Sequence, residues 1–461
     1  MNNILILIYN NSPVFVQNQL CSLLGRKMIE ERFNDYFFKV LSDLNDSQYY
    51  TFDNIQNYKE EHLYKILEYA YNKVPFYKKF YDDHLVKPAD FKKLDDIHKF
   101  PILTKEFIRE NYKQMLAVDF SRKNLLANHT SGSSGKALDF YQTKDSLPFI
   151  WAIWWRFRNR FGVEWGDKHL NCTGKLVVPI KTKKPPFWRI NKPMNQWLIN
   201  MQHISSVKIH DIANMIDQEQ FIYFSGYPSI IYSLASLMLN EGIKITNAPR
   251  FIFTGAEKMY EDQKVVIKKV FPDVILSDHY GTSEGVVNAS KCKNDVYHED
   301  FELGHLECEE KHWLSDTEYE GDILGTSFIN YGMPFIRYKI GDSAIWSTKN
   351  CSCGLHSQVI TDIQGRTEDY IITPEGLKLK RFDYLFKDTI DIQECQVVQE
   401  QLGHIIFRIV KRATYNLKTE QHIEKSVHEM ISPTIICHFE YVSEIERTSA
   451  GKFKAVVSKL K

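Results

Sequence analysis

The sequence predicts an α/β protein built from a large N-terminal domain and a small α+β C-terminal domain. Three observations indicate this class. Residues 1–120 carry mostly helical patterns, short apolar strands alternate with helices in the middle of the chain, and a mixed segment follows position 366. We therefore expect residues 1–366 to form the large domain around a parallel sheet and residues 367–461 to form the small one. A length of 461 residues agrees with two or three domains.

The N-terminal segment contains an amphipathic helical pattern between residues 60 and 77. Its apolar positions recur at spacings of three and four residues, which places them on one helical face. These positions are Leu63, Ile66, Leu67 and Ala70. Because the residue before a proline disfavours the helical conformation, this helix should end at Val74-Pro75.

Three short apolar runs in the middle of the chain predict strands: residues 221–224, residues 251–253, and the run that leads into Tyr280. A helical pattern separates each pair of runs, so the strands should be parallel and should present ligand sites at their carboxyl ends. The aromatic-rich stretch 149–161 is more typical of an amphipathic core helix than of the lining of an acyl pocket.

Composition and charge indicate an ordinary globular protein. Lys plus Arg and Asp plus Glu both total 58, so the chain carries no excess charge that would attract nucleic acid or an anionic membrane. The first residues lack the features of a signal peptide, and no apolar stretch reaches the length of a membrane span. Eight cysteines are too few for a disulfide framework, so we expect a reducing, cytoplasmic location without membrane insertion.

Residues 130–136, TSGSSGK, form a Ser/Gly-rich loop whose backbone amides and hydroxyls could bind phosphate. The loop is not a Walker A motif, because two residues rather than four separate Gly132 from Gly135, and Ala137 follows Lys136. Taken alone, the loop is equally compatible with a flexible surface segment.

Five further motifs follow this loop in order: TGAE at 254–257, YGTSE at 280–284, IRYKIGD at 336–342, GRTEDYI at 365–371 and RTSAGK at 447–452. Together with the loop, they resemble the adenylate-forming superfamily of AMP-forming acyl ligases in order, spacing and chemistry. The N-terminal stretches PVFVQNQLCSLLGRK, VPFYKKFY and FPILTKE resemble its phenylacetate–CoA ligase-like branch, especially the CapK-type members. The resemblance implies a large adenylate-forming domain with a small, mobile C-terminal lid.

The resemblance also implies how these motifs bind ATP. The loop would hold the β- and γ-phosphates, Glu284 would ligate Mg²⁺, and Ser283 would lie near the α-phosphate. The phosphate-loop residues are Thr130, Ser131, Gly132, Ser133, Ser134, Gly135 and Lys136. The residues expected to border the adenine are Gly255, Ala256, Glu257, Tyr280, Gly281 and Thr282. Outside this set of motifs, Glu284 would be a solvated loop carboxylate.

Three other motif residues would contact the ribose or the α-phosphate. Asp342 matches the family aspartate that accepts hydrogen bonds from both ribose hydroxyls, and Arg366 matches an arginine near the ribose and phosphate. Lys452 matches the lysine that enters the active site for adenylation only. The family has a hinge aspartate where this chain has Glu368, and Asp369 follows, so either residue can be the hinge. Without the other motifs, Asp342 would be a turn residue and Lys452 a solvated tail residue.

Four residues have the composition of a zinc site. Cys351 and Cys353 lie one residue apart in a turn, and Cys292 and His298 lie six residues apart just after YGTSE. Three sulfurs and one imidazole suit tetrahedral Zn²⁺, and a closed site of this kind would be structural. The phenylacetate–CoA ligase-like family carries a similar pairing. The alternatives are buried free cysteines with a surface histidine, or Cys308 as a competing ligand.

The motifs predict ATP-dependent, Mg²⁺-dependent activation of a small-molecule carboxylic acid to acyl-AMP with release of pyrophosphate, followed by acyl transfer. CoA is the first choice of acceptor, and an amine or hydroxyl in surface or capsular polysaccharide biosynthesis is the alternative. The basic run 181–186 could contact a phosphate of CoA, although such runs are usually solvated loops. A third interpretation, a non-catalytic nucleotide-binding relative, is disfavoured because Lys452, Glu284 and Asp342 are all present.

Overall fold

A computed structural model describes residues 3–129, 138–173, 176–364, 370–376, 378–379, 382, 385, 392–411, 415–446 and 456–460. These residues fall into two compact units. The first spans 1–128 and 140–365, and the second spans 366–461 together with 129–139. No helix among the described residues combines the length and the apolar character needed to cross a membrane.

The helices up to residue 365 are α1 (Asn3–Asn11), α2 (Val14–Arg32), α3 (Asp35–Ser47), α4 (Phe52–Lys73), α5 (Pro75–Asp83), α6 (Lys105–Asn111), α7 (Ser146–Asn159), α8 (Ile209–Glu219), α9 (Pro228–Asn240) and α10 (Glu261–Val270). The strands up to the same residue are β1 (Leu125–His129), β2 (Asp139–Thr143), β3 (His169–Thr173), β4 (Trp188–Asn191), β5 (Gln196–Asn200), β6 (Tyr223–Gly226), β7 (Phe251–Gly255), β8 (Ile275–Gly281), β9 (Asn288–Lys291), β10 (Tyr297–Glu299), β11 (Gly304–Trp313), β12 (Glu318–Ser327), β13 (Tyr338–Ser347) and β14 (Val359–Gln364).

A single mixed sheet organises the first unit. Its 12 strands follow the order β11-β12-β13-β14-β10-β9-β8-β7-β6-β3-β5-β4. The stretch from β5 through β3, β6 and β7 to β8 is parallel. The three strands predicted from apolar runs are β6, β7 and β8, so the predicted parallel core is confirmed. From β8 onward the sheet continues antiparallel through β9, β10, β14, β13, β12 and β11.

The parallel strands are covered on both faces. One hydrophobic cluster packs the apolar sides of α8, α9 and α10 against strand residues such as Phe224 and Ile252, which are fully buried. A second cluster packs α3 and α7 against Tyr223 and Phe253. Strands buried on both faces lack the alternation of a half-exposed strand, which is why they appear in the sequence as continuous apolar runs.

The aromatic-rich stretch forms α7, and it is a core helix. Ala152, Ile153 and Phe157 are fully buried. Arg156 on the same helix is also buried, and its guanidinium donates to Asp300 and Glu302, each at 2.6 Å. These two carboxylates offset a charge that would otherwise be costly to bury.

Helix α4 ends where the sequence predicted, just before Val74-Pro75. Thr51 caps α4 by accepting a hydrogen bond from the Asn54 backbone at 3.3 Å, and α4 ends at Lys73. Pro75 then opens α5, because its missing N–H is not needed in a first helical turn.

The N-terminal segment is joined to β13 through buried polar contacts. The Tyr77 hydroxyl donates to the Pro334 carbonyl at 2.9 Å and accepts from the Ile336 amide at 3.1 Å. Arg337, which has a left-handed backbone (φ 47°), donates to the Phe100 carbonyl at 2.5 Å and to Glu307 at 2.9 Å. The segment before β1 therefore fixes the backbone at which β13 begins.

The second unit is a small α+β fold, as predicted. Its elements are β15 (Ile371–Ile372), β16 (Lys378–Leu379), β17 (Ile392–Gln399), β18 (His404–Lys411), α11 (Leu417–Met430), β19 (Ile436–Tyr441) and β20 (Val456–Ser458). Four of the strands form a sheet in the order β19-β18-β17-β20. Ile423 and Val427 of α11 are fully buried, as are Ile405 and Phe407 of β18.

Candidate active site

The site predicted from the motifs starts at the carboxyl ends of β7 and β8. Gly255, the last residue of β7, pairs with His279 of β8. A Cβ at Gly255 would lie only 2.6 Å from the His279 ring, so glycine is what allows this close approach of ring and backbone. Burial lowers the pKa of His279 to about 4, so the imidazole is neutral at pH 7.

The rest of the TGAE motif turns the chain towards α9. Ala256 has a left-handed backbone (φ 67°), which forms the turn. Glu257 then accepts a hydrogen bond from the Ser229 amide at 3.2 Å, in the first turn of α9. A carboxylate is stabilised at this position by the unpaired amides and the dipole of the helix N-terminus.

Tyr280 and Asp342 meet although they lie 62 residues apart in the sequence. The Tyr280 hydroxyl donates to Asp342 Oδ2 at 2.8 Å. Tyr280 lies near the end of β8 and Asp342 is half-buried on β13. The structure thus brings together the residue expected at the adenine and the residue expected at the ribose.

The YGTSE motif ends in a tight turn that buries Glu284. The Gly285 amide donates to the Thr282 carbonyl at 3.0 Å, and the Val286 amide donates to Thr282 Oγ1 at 3.2 Å. Glu284 is only 6% exposed, whereas Ser283 is exposed. A solvated loop carboxylate, the alternative interpretation of Glu284, does not fit this burial.

Two residues that the sequence did not single out hold Glu284 in place. The buried Tyr338 hydroxyl donates to Glu284 Oε1 at 3.1 Å, and Gln142 Nε2 donates to the Glu284 carbonyl at 3.0 Å. Tyr338 belongs to the IRYKIGD motif, so the sequence pointed to its segment. Gln142 belongs to no motif, so the sequence could not indicate it. A carboxylate oriented in this way offers the hard oxygen ligand that Mg²⁺ prefers.

The two basic residues of IRYKIGD contribute to the scaffold. Arg337 forms the buried ion pair with Glu307 described above. Lys339 lies 2.8 Å from Asp322 on β12, the strand next to β13.

Several predicted site residues lie outside the described part of the chain. They are Thr130, Ser131, Gly132, Ser133, Ser134, Gly135, Lys136, Arg366, Glu368, Asp369 and Lys452. Their roles stay predictions from the motifs.

The four predicted zinc ligands lie together. The ligand atoms of Cys292, His298, Cys351 and Cys353 are all within 4.8 Å of one another. The sulfurs of Cys292 and Cys351 are 3.8 Å apart, and Cys353 Sγ is 3.3 Å from His298 Nε2. Thiolates bound tetrahedrally at about 2.3 Å from one ion would lie roughly 3.8 Å apart, so the donor set fits Zn²⁺.

The surroundings of His298 also fit a ligand role. His298 Nδ1 lies 3.2 Å from the Ser357 carbonyl, a partner that requires the proton on Nδ1 and leaves the Nε2 lone pair for an ion. Burial lowers the pKa of His298 to about 4, which keeps the ring neutral. Cys308, the competing candidate, is buried on β11 and is not part of the cluster.

A short buried chain of hydrogen bonds runs between the strand ends and the cluster. Asp278 on β8 accepts from Thr254 Oγ1 at 3.1 Å and from the Tyr297 hydroxyl at 2.6 Å. Burial raises the pKa of Asp278 to about 6. Thr254 precedes Gly255 and Tyr297 precedes His298. These hydrogen bonds therefore connect the TGAE segment to the strand residue next to a cluster ligand.

Comparisons with known proteins agree with this architecture. Residues 371–459 match the family described as the CapK C-terminal domain. Protein CapK of Staphylococcus aureus is 27% identical over 98% of this chain and 99% of its own length. A phenylacetate-coenzyme A ligase of Thermus thermophilus is 23% identical over 69% of this chain and 72% of its own length. The solved structure of a 2-hydroxyisobutyryl-CoA ligase with 2-HIB-AMP and CoA, in the thioesterification state, superposes with a TM-score of 0.57; it is 15% identical and covers 90% of this chain and 92% of its own.

The fold is that of the solved acyl-CoA ligase, and the sequence is similar to Protein CapK over nearly the whole chain. Similarity at about 15% identity shows the fold only. The ordered motifs of this chain resemble those of the phenylacetate–CoA ligase-like, CapK-type branch of the adenylate-forming superfamily, and its C-terminal residues match the CapK C-terminal domain.

Proposed function

We propose that this chain uses ATP to convert a small carboxylic acid to acyl-AMP and pyrophosphate, and then transfers the acyl group to CoA. The observation that carries the proposal is the hydrogen bond between Tyr280 and Asp342. Tyr280 belongs to the same YGTSE motif as the buried Glu284. This contact joins two motif segments at the carboxyl edge of the parallel sheet, where α/β folds bind their ligands. ATP and CoA would be available in the cytoplasm.

The reaction brings a carboxylate to a polyphosphate, so the protein must supply positive charge and fixed geometry. Asp342 would accept hydrogen bonds from the ribose hydroxyls, while the Tyr280 hydroxyl holds Asp342 Oδ2 in position. Glu284, oriented by Tyr338, would hold Mg²⁺, and a bound Mg²⁺ neutralises phosphate charge. The loop 130–136 would donate to the phosphates, and Lys452 would offset charge near the α-phosphate.

Pyrophosphate release tests the proposal directly. The purified chain should release pyrophosphate with at least one member of a panel of aryl, fatty, amino and uronic acids, in an ATP- and Mg²⁺-dependent manner. The variant Glu284→Gln should lose pyrophosphate release. The control variant Asp322→Asn, on β12 next to β13, should keep it. ATP binding without pyrophosphate release for any acid would instead favour a non-catalytic nucleotide-binding relative.

The acceptor is decided by repeating the assay with and without CoA. Formation of an acyl-CoA product supports the proposal. The alternative is an enzyme of surface or capsular polysaccharide biosynthesis that passes the acyl group to an amine or hydroxyl. That alternative predicts acyl-AMP that hydroxylamine traps as a hydroxamate while CoA is not acylated.

Replacing Asp342 is expected to weaken ATP binding. Asp342→Ala removes a charged acceptor for the ribose, worth about 1.5–3 kcal/mol, or roughly a ten- to hundredfold loss of affinity. Tyr280→Phe keeps the carboxylate and should cost less. Isothermal titration calorimetry with ATP measures both variants, with Asp322→Ala as the matched control. Equal ATP affinity in Asp342→Ala and in the unsubstituted chain would remove Asp342 from the site.

We also propose that Cys292, His298, Cys351 and Cys353 bind a structural Zn²⁺. The support is the donor set and its spacing. Four protein ligands leave no open coordination position for a substrate, so the ion would stabilise the fold and take no part in the chemistry.

A further inference from the structure

Two segments of the first unit contain no acidic residue, although the chain as a whole is balanced in charge. In residues 1–29 the only charged side chains are Arg26 and Lys27. Residues 169–210 contain seven Lys or Arg residues and no Asp or Glu. The balanced total of the chain therefore conceals a local excess of positive charge.

These two acid-free segments contact each other in the fold. The Tyr9 hydroxyl of α1 donates to the Val177 carbonyl, in the loop after β3, at 2.5 Å. Gln17 in the first turns of α2 donates to the Tyr9 carbonyl at 3.0 Å. His203 Nε2, in the turn after β5, lies 3.2 Å from the Pro179 carbonyl of the same loop. The two N-terminal helices, the loop and the turn therefore lie side by side.

The outer side of α1, the first turn of α2 and residues 176–187 and 201–208 together form what we call the lysine–apolar surface. Phe15 on this surface is 68% exposed, and Val207 is 87% exposed. The nearest carboxylate along the chain, Asp211, is half-buried in α8. The other exposed apolar side chains are Ile6, Leu7, Ile8, Leu176 and Ile180, and the exposed lysines are Lys181, Lys183 and Lys184.

The combination of exposed apolar side chains with lysines indicates the kind of partner. Lysine is depleted at protein–protein interfaces relative to the rest of the surface, so a protein partner fits poorly. Nucleic acids attract lysines through their phosphates, but that attraction leaves the exposed Leu and Ile side chains without a role. A membrane interface uses both, since apolar side chains enter the boundary between headgroups and acyl chains while lysines attract anionic lipids.

The lysine–apolar surface lies at the same edge of the sheet as the candidate active site. Residues 176–187 follow the carboxyl end of β3, and residues 201–208 follow that of β5. Both strands run parallel to β6, β7 and β8. Neighbouring strands are about 4.8 Å apart, which places β3 roughly 10 Å from β7, where the TGAE turn begins. A membrane bound at this surface would therefore lie close to the carboxyl edge of the parallel strands.

We propose that the lysine–apolar surface binds the chain peripherally to bilayers that contain anionic lipids. Phe15 and the exposed side chains of α1 would enter the headgroup boundary. Lys181, Lys183 and Lys184 would attract the lipid phosphates. The proposal goes beyond the ligase reaction, because it uses none of the residues assigned to ATP or Mg²⁺.

Vesicle flotation of the full chain, without ATP, tests the proposal. Vesicles of phosphatidylglycerol and phosphatidylcholine in equal amounts should carry the chain with them. Vesicles of phosphatidylcholine alone should bind it at least about tenfold more weakly, because they lack the negative surface potential that attracts lysines. High salt should weaken binding to the mixed vesicles, because salt screens exposed charges.

Substitutions separate the electrostatic part of the binding from the apolar part. The triple variant with Lys181→Gln, Lys183→Gln and Lys184→Gln should lower the affinity for the mixed vesicles by about a hundredfold, since each lysine near an anionic bilayer contributes about a fivefold gain. Phe15→Ser should lower the affinity by about tenfold, because it removes a large side chain from the headgroup boundary.

Matched controls lie outside the lysine–apolar surface. The triple variant with Lys78→Gln, Lys79→Gln and Lys92→Gln changes the net charge by the same amount at three exposed lysines. Phe52, the first residue of α4, is 66% exposed, so Phe52→Ser matches Phe15→Ser. Both controls should bind the mixed vesicles like the unsubstituted chain, and unchanged melting temperatures establish that every variant folds.

Three flotation results would overturn the proposal: no binding to the mixed vesicles, equal binding to both kinds of vesicle, or equal affinity in the surface variants and their controls. Analytical ultracentrifugation identifies the other occupant of this surface. A concentration-dependent dimer that Phe15→Ser abolishes, without any flotation, would assign the surface to a second copy of the chain and overturn the lipid assignment.

Discussion

Removing the ion from the Cys292, His298, Cys351 and Cys353 cluster is expected to lower the melting temperature by several degrees or more. The ion would tie segments 59 residues apart, and metal affinity appears as folding stability because the unfolded chain has no preformed site. A ligand present at a thousandfold excess over its Kd contributes about 4 kcal/mol. Differential scanning calorimetry before and after treatment with a strong zinc chelator measures the loss, and added Zn²⁺ should reverse it.

Cys351→Ser should reproduce the effect of the chelator and should reduce the bound zinc measured by elemental analysis. Cys308→Ser and Cys437→Ser are the controls, since neither thiol belongs to the cluster. Because the cluster is not assigned to substrate binding, chelation should lower stability before it abolishes ATP binding. Purified chain without zinc, or unchanged zinc content in Cys351→Ser, would rule out the site.

Lys452→Ala is expected to reduce acyl-AMP formation by two to three orders of magnitude, the usual cost of removing a group that stabilises charge in a transition state. Thioester formation from supplied acyl-AMP and CoA should change much less, because this lysine would serve adenylation only. Single-turnover assays of each half-reaction give the two rates separately.

Lys459→Ala is a suitable control for Lys452→Ala, because Lys459 is a nearby exposed lysine that pairs with Glu400 at 2.6 Å. It should leave both half-reactions unchanged. An equal loss in both half-reactions of Lys452→Ala would point to a general structural role, and no loss in either would remove Lys452 from the mechanism.

Three of the five parallel strands, β6, β7 and β8, could be predicted from the sequence, and β6 and β7 appear as short apolar runs because they are buried. The parallel strands β3 and β5 were not predicted. The antiparallel half was not predicted. Its strands mix buried and exposed positions, as in β13, where burial changes from residue to residue. Their partners are also set by long-range pairing, such as Tyr297 of β10 with Ile360 of β14.

The candidate site could be predicted only where its residues belong to motifs. Asp342 and Tyr280 stand inside motifs, so the sequence named both, but it could not show that they touch. Gln142 belongs to no motif and contacts Glu284 only through tertiary folding. The sequence gave no indication that Arg156 on the aromatic-rich helix is buried in an ion pair, because its carboxylate partners lie 144 and 146 residues away. Contacts of this range leave no local pattern in a single sequence.

The buried contacts between the N-terminal helices and the start of β13 determine whether the helical region can be separated from the large sheet. Tyr77 and the Phe100 carbonyl hold Pro334, Ile336 and Arg337 in place, only a few positions before Asp342. The helical region therefore cannot be removed or replaced by that of another protein while β13 stays intact. A shortened chain starting after residue 120 would lose the groups that hold that strand. The helical region and the large sheet belong to one compact unit.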